Sequence, residues 1–449
     1  MKLLSTLFLV AFLHVPLFSA QPNIVFILAD DMGYGDLGCY GHPRAKTPVI
    51  DQLAKDGVRF TQHYSNGTEC SPTRTAFLTG RYPQRAGGLE CAIGTGNVGR
   101  YDDAIRLAGQ RQLGLPAKQV ILPSALKPAG YVSCHIGKWH LGADDWYPQK
   151  QGYDFNFGGC DYGQPPNYFD PFNQPKGRHP MIRAGIPHLP GRKKGQYLSD
   201  REAEEAVAFI EKHKDQPFFL NMDNYAVHTP IQAKAEVTAK YEKKPKTTQK
   251  NAKYAAMVES VDDCAGRIME TLEKHGIADR TVIIFTSDNG FYLGEHGLAG
   301  KWFMHEESIR LPLVICDPRL PRKEAGRRVS EPALNIDIAP TILELAGLSV
   351  PATVQGRSLV PLLQRRRVAW RTEFFYEHPF RHPRIPMTEG VRGVRWKYVR
   401  YTSLDPVVEE LYDLKTDPRE EKNLAKDSRF TERLNEQRSK WQKWRKRVK

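Results

Sequence analysis

The chain has 449 residues and a formal net charge of +14, from 65 Lys and Arg against 51 Asp and Glu. With 40% hydrophobic and 26% charged residues it has globular proportions, which excludes a disordered, collagenous or coiled-coil chain. Beyond the first twenty residues no stretch approaches the ~18 apolar residues of a bilayer span, which excludes an integral membrane protein. The basic excess suits a polyanionic ligand, but nucleic acid fits poorly because no recognition module accompanies the charge.

Met1-Lys2, an apolar run from Leu3 to Phe18 and the small pair Ser19-Ala20 read as a secretory signal over residues 1–20. Export to a periplasmic or extracellular space, or to a lysosomal-type lumen in a eukaryote, is therefore expected. Residues 23–28 form a short apolar run that stops at Asp30-Asp31, as a buried parallel strand does. Thr47-Pro48 opens a helix that closes at Gly57. Pro72 is placed to begin a helix through Leu78, with Cys70 beside its N-terminus. The segment 165–190, rich in Pro, Asn, Gly and Arg, reads as a long surface loop shaping a pocket. Ser199-x-x-Glu202 has a capping-box pattern ahead of a helix, and a strand follows at 218–220. A long helix from Tyr254 to Gly276 feeds a strand at 281–285, which runs out at Ser287-Asp288-Asn289-Gly290.

This alternation predicts an α/β sandwich with a mostly parallel central sheet, over residues 21–364. From 365 the texture changes to short aromatic runs, such as Glu373-Phe-Phe-Tyr376, Arg395-Trp-Lys-Tyr-Val399 and Leu411-Tyr-Asp-Leu414. Residues 365–449 are expected to form a smaller C-terminal subdomain, an antiparallel sheet with a terminal helix.

Ligands of open α/β sheets sit at the carboxyl ends of the strands. Asp30, Asp31, Asp288 and Asn289 fall there, an all-oxygen set for a hard cation, with calcium ahead of magnesium. The seven cysteines, among them Cys39, Cys70, Cys91 and Cys134, form no CxxC pair, which argues against a zinc ribbon. Cys70-Ser-Pro-Thr-Arg74 sets a thiol at a helix N-terminus, where free N–H groups and Arg74 favour developing negative charge.

Cys70-Ser-Pro-Thr-Arg-Thr-Ala-Phe-Leu-Thr-Gly-Arg81 resembles the signature of type I, formylglycine-dependent sulfatases, members of the alkaline-phosphatase-like superfamily. Gly130-Tyr-Val-Ser-Cys-His-Ile-Gly-Lys-Trp-His140 resembles the second signature of that family. Asp30-Asp31, Ala226-Val-His-Thr-Pro230 and Ser287-Asp-Asn-Gly290 with Lys301 follow in the family order. Leu411-Tyr-Asp-Leu-Lys-Thr-Asp-Pro418 and Lys422-Asn-Leu424 resemble a C-terminal element of bacterial members. Glu69 departs from the family, which usually has an uncharged residue there.

The resemblance implies that Cys70 is oxidised by a formylglycine-generating or equivalent enzyme to 3-oxoalanine. The hydrated aldehyde would then attack sulfur beside a metal on Asp30, Asp31, Asp288, Asn289 and residue 70. Arg74, Lys138 and Lys301 would neutralise the sulfuryl group. His228, with Lys301, would protonate the leaving alcohol, and His140 would deprotonate the remaining hydroxyl to expel sulfate.

The charge and the cluster Tyr376-Glu-His-Pro-Phe-Arg-His-Pro-Arg384 suggest a pocket for a sulfated carbohydrate or glycosaminoglycan-like glycan, rimmed by His378, Arg381, His382 and Arg384. Three readings stay open on the sequence: a sulfatase, a phosphonate or phosphodiester hydrolase of the same superfamily, and a catalytically silent glycan-binding protein.

Overall fold

Nine strands of the described residues make the main sheet, and its central strand explains the apolar run near the N-terminus. The computed structural model describes residues 21–448 except 44, 68, 87–114, 116–120, 143, 178–179, 192, 244–250 and 380–384. The expected signal segment, 1–20, lies outside the described residues.

In chain order the strands are β1 (Asn23–Ala29), β2 (Val58–Tyr64), β3 (Val132–Gly137), β4 (Phe155–Phe157), β5 (Phe218–Asp223) and β6 (Thr281–Ser287). A two-stranded ribbon, β7 (Tyr292–Leu293) and β8 (Ala299–Gly300), branches off after β6. The sheet resumes with β9 (Arg310–Cys316), β10 (Arg327–Val329) and β11 (Ala333–Leu334). Its spatial order is β10-β2-β9-β6-β1-β5-β3-β4, with β11 also beside β2. Only β9 runs against its neighbours; the other pairings are parallel.

Every residue of β1 is buried, because helices cover both faces of the sheet. Val25, Ile27 and Ala29 face one core with the helices Pro48–Asp56, Leu198–His213 and Ala252–Lys274. Ile24, Phe26 and Leu28 face the other, against the helices Cys70–Thr79 and Ile338–Leu345. The alternation of strand side chains thus builds two cores from one apolar run.

The C-terminal segment forms β12 (Glu373–His378), β13 (Thr388–Gly393), β14 (Trp396–Tyr401) and β15 (Val408–Asp413), antiparallel in sequence order. The helix Thr431–Val448 lays Leu434, Trp441 and Val448 on this sheet, in a cluster that also takes Tyr64, Ala76 and Met304. The expected sheet and terminal helix are both present.

Three local expectations differ. The helix after Cys70 starts two residues before Pro72, so Cys70 is its first residue. Ser199 and Glu202 do not cap: the helix opens at Leu198, and Glu202 accepts the backbone N–H of Tyr225 at 3.3 Å instead. The segment 165–190 is not a free surface loop, since Tyr168 and Phe172 are wholly buried. Tyr168 donates to the Tyr225 and His228 carbonyls at 2.6 and 2.8 Å, tying the segment to the strand ends.

Candidate active site

The register of the sheet assembles the site. Ala29 pairs with Ser287 between β1 and β6, so Asp30-Asp31 and Asp288-Asn289 leave adjacent strand ends together. Asp31 takes a left-handed backbone (φ 64°), and its N–H donates to Asp288 Oδ1 at 3.0 Å. On the other side, Leu28 pairs with Asp223 of β5, which pairs in turn with Gly137 of β3. Gly137 is at φ 90°, and a Cβ there would strike the Asp223 carbonyl. That close approach delivers the next residue, Lys138, to Asp30 Oδ2 at 2.6 Å.

Cys70 Sγ, wholly buried, lies 3.7 Å from Asp30 Oδ1 and 2.8 Å from Lys301 Nζ. Lys301 Nζ also donates to Asp31 Oδ1 at 2.5 Å. His228 Nε2 is 3.4 Å from Asp31 Oδ2. His140 (φ 57°) interacts with the Cys70 side chain, yet neither of its ring nitrogens has a well-aligned hydrogen bond among the described residues. Arg74 commits its guanidinium to protein groups: Nε and Nη2 to Asp288 Oδ2 at 3.1 and 2.9 Å, and Nη1 to the Lys138 carbonyl and Asp223 Oδ2 at 2.6 and 3.1 Å.

Burial shapes the charges. It raises the carboxyls of Asp30 and Asp31, and pushes Asp288 up to about 6 and Asp223 up to about 8, despite their cationic neighbours. Four buried carboxylates therefore face three cations, Arg74, Lys138 and Lys301. For Cys70 burial works the other way from its surroundings: Lys138 and Lys301 hold the thiol well below its ordinary value. Burial likewise opposes a charged His228, but Asp30 and Asp31 outweigh it and raise that imidazole. Burial, joined by Lys138 and Arg74, lowers His140 to about 4.

This donor set fits a divalent cation. Asp30, Asp31, Cys70 and His228 each offer an atom within 4.8 Å of the others. Among the described residues Asn289 Oδ1 is buried without a hydrogen bond, and Asp31 Oδ2 has none beyond the approach of His228. Oxygen donors dominate, and a positive charge would relieve the raised carboxyls. His228 joins the cluster geometrically, although the sequence placed only oxygen atoms and residue 70 there.

Of the residues singled out from sequence, Asp30, Asp31, Cys70, Arg74, Lys138, His140, His228, Asp288, Asn289 and Lys301 converge. His378 sits at the end of β12, buried, with Nδ1 3.4 Å from Glu69 Oε1. It thus touches the residue before Cys70 from the C-terminal sheet. Arg381, His382 and Arg384 lie outside the described residues. Sequence reasoning missed Asp223; the signal was the same strand-end position that marked Asp30, had the strand at 218–220 been followed three residues further. The described cysteines, Cys39, Cys70, Cys134, Cys160, Cys264 and Cys316, are free thiols.

Comparison with known proteins agrees with this arrangement. A family model described as Sulfatase matches residues 22–348, and one described as N-sulphoglucosamine sulphohydrolase, C-terminal, matches 294–447. Human N-acetylgalactosamine-6-sulfatase is 35% identical over 373 residues, 79% of this chain and 68% of that protein. N-acetylglucosamine-6-O-sulfatase of Bacteroides thetaiotaomicron is 27% identical, covering 93% of this chain and 85% of its own. The crystal structure of Ps i-CgsB with k-i-k-neocarrahexaose superposes with a TM-score of 0.76 at 29% identity, over 95% of this chain and 93% of that one. A match over most of the chain, on a fold whose strand ends gather this cluster, means that the chain belongs to the sulfatase family and is a sulfuric ester hydrolase.

Proposed function

We propose that the chain releases sulfate from 6-O-sulfated N-acetylhexosamines in a sulfated glycan, after export and after oxidation of Cys70 to formylglycine, with one bound calcium ion. The observation that carries this reading is Cys70 itself: a buried side chain at the start of a helix, within reach of Lys301, Asp30 and His140. Its Sγ stands in for a hydroxyl of the hydrated aldehyde. The sugar class rests on the two relatives named for 6-sulfated N-acetylhexosamines.

Asp30, Asp31, Asp288 and Asn289, with residue 70, would hold the cation. When bound, it supplies Lewis-acid polarisation of sulfate oxygens and of the attacking hydroxyl. The aldehyde hydrate supplies a second hydroxyl, which lets the enzyme shed sulfate without water attacking a stable ester.

The remaining work belongs to the side chains. Lys138 and Lys301 place fixed positive charge beside residue 70, where charge develops on the sulfuryl oxygens. Arg74 holds Asp288 and Asp223 rather than pointing into open space, so it acts as a brace for the carboxylates. His228, whose proton Asp30 and Asp31 favour against burial, holds it for the leaving alcohol oxygen with Lys301. His140, neutral at ordinary pH, accepts one from residue 70. Two imidazoles in one site are thus pushed apart into acid and base.

All ten residues of the helix Cys70–Thr79 are buried, so a maturation enzyme can reach Cys70 only before this part of the chain folds. A panel of defined sulfated mono- and disaccharides, read by sulfate release, tests the substrate. Turnover of 6-O-sulfated N-acetylhexosamines ahead of other sulfated sugars is expected. Comparable or higher efficiency on phosphonate or phosphate diesters would overturn the assignment. Chelation should remove activity and added Ca²⁺ restore it, with Mg²⁺ the weaker substitute. Replacing Arg381 and His382 by alanine should raise KM for a sulfated oligosaccharide and leave that for a small aryl sulfate unchanged.

A further inference from the structure

The residues after Lys301 run against the C-terminal sheet, and that sheet, with the loop that follows β15, grips them at alternate positions. Tyr376 Oη donates to the Trp302 carbonyl at 3.4 Å. Lys397 Nζ donates to the Met304 carbonyl at 2.8 Å. The backbone N–H of Glu306 donates to Glu420 Oε2 at 2.7 Å. Between the last two, Lys397 Nζ also pairs with Glu306 Oε1 at 2.8 Å and Glu420 Oε1 at 2.7 Å.

Lys397 is fully buried and Glu420 nearly so. Arg392 reaches Glu306 from the neighbouring strand at 3.4 Å. Gly390 of β13 leaves the space that the Met304 thioether fills; a Cβ there would collide with it. The first residue of the strap, Trp302, is held at φ 87°. A non-glycine residue keeps such a backbone only where its surroundings over-determine it.

Burying an ammonium and two carboxylates is no cheap route to stability, since apolar residues of similar volume often serve as well. What the charges give here is geometry, because their hydrogen bonds end on the backbone of one five-residue strap. Upstream of that strap is Lys301, whose Nζ lies between Asp31 and Cys70.

We propose that Lys397, clamped by Glu306 and Glu420, is a positioning residue for Lys301: it fixes the 302–306 strap so that the Lys301 ammonium meets residue 70. The proposal rests on the reading of Lys301 as part of the chemistry. It also gives a purpose to the segment around residues 411–424, whose Glu420 reaches the strap through this contact.

The test is a double-mutant cycle on the matured enzyme, with an aryl sulfate as probe substrate. Lys397→Met should lower kcat on the order of 10²-fold, the scale of a small misplacement of a reacting group. KM should stay within about twofold, the spread expected of independent effects. Lys301→Ala should lower kcat at least as far, and adding Lys397→Met to it should cost less than about twofold more. Glu420→Gln, which keeps the shape and removes the charge, should give the same pattern with a smaller drop, and serves if Lys397→Met does not fold. Wild-type kcat in both Lys397→Met and Glu420→Gln, or losses that multiply in the double variants, would overturn the proposal. Full activity in Lys301→Ala would instead overturn the role given to Lys301 itself.

Discussion

Replacing Cys70 by alanine is expected to lower kcat for sulfate release by roughly 10⁶-fold, the scale seen when a hydrolase loses its covalent nucleophile. KM for a sulfated sugar should change little, because Lys138, Lys301 and the carboxylates that would hold the cation remain. The variant should also fold, since alanine vacates only the thiol that Lys301 contacts. Peptide mass spectrometry of the unsubstituted enzyme supplies the second half of the test. Conversion of Cys70 replaces S–H and one C–H hydrogen by a carbonyl oxygen, a loss of about 18 Da. An unmodified thiol in a fully active preparation would remove the formylglycine reading, and an unmodified thiol in an inactive one would favour a glycan-binding role.

Arg74→Ala should be the most damaging single change to stability in the site, by about 3–5 kcal/mol at pH 8. The guanidinium is buried against Asp288 and Asp223, and without it both carboxylates are left in the interior with less positive charge. Urea denaturation of the metal-chelated protein measures this, and its pH dependence has a definite sign. Both carboxyls already sit above their unfolded values, near 6 for Asp288 and near 8 for Asp223. Below about pH 6 they are protonated with or without Arg74, so the electrostatic part of the deficit is absent there. It should open as pH rises through 6 and widen through 8. A deficit independent of pH between 5 and 9 would mean that the arginine matters for packing alone.

How much of this was legible in the sequence depended on where the signal was local. Asp30-Asp31 and Asp288-Asn289 could be found because each closes an apolar run, and strand ends are where α/β sheets place ligands. That β1 and β6 are neighbours could not be read, since they are separated by more than 250 residues and no periodicity encodes their pairing. Lys138, His140, His228 and Lys301 stood out only through resemblance to a family; singly, each looks like an ordinary polar residue. Asp223 went unnoticed because its strand was followed only to Leu220. The Ser199–Glu202 pattern misled because Glu202 has a tertiary partner, the Tyr225 amide, that outbids a local cap. Lys397 falls inside the aromatic run 395–399 and Glu420 between the two C-terminal motifs, yet their partner Glu306 lies on another segment, so the clamp exists only in three dimensions.

Asp31, His140 and Trp302 all keep left-handed backbones around the same centre, at φ 64°, 57° and 87°. An L-residue gives up roughly 1–2 kcal/mol to sit there, a cost that glycine avoids. Thermal hardening of this enzyme by local relaxation would therefore begin with the positions its turnover can least spare. Selection for heat tolerance has to work at a distance instead, on helix ends, surface charge and loop rigidity, where gains do not compete with rate.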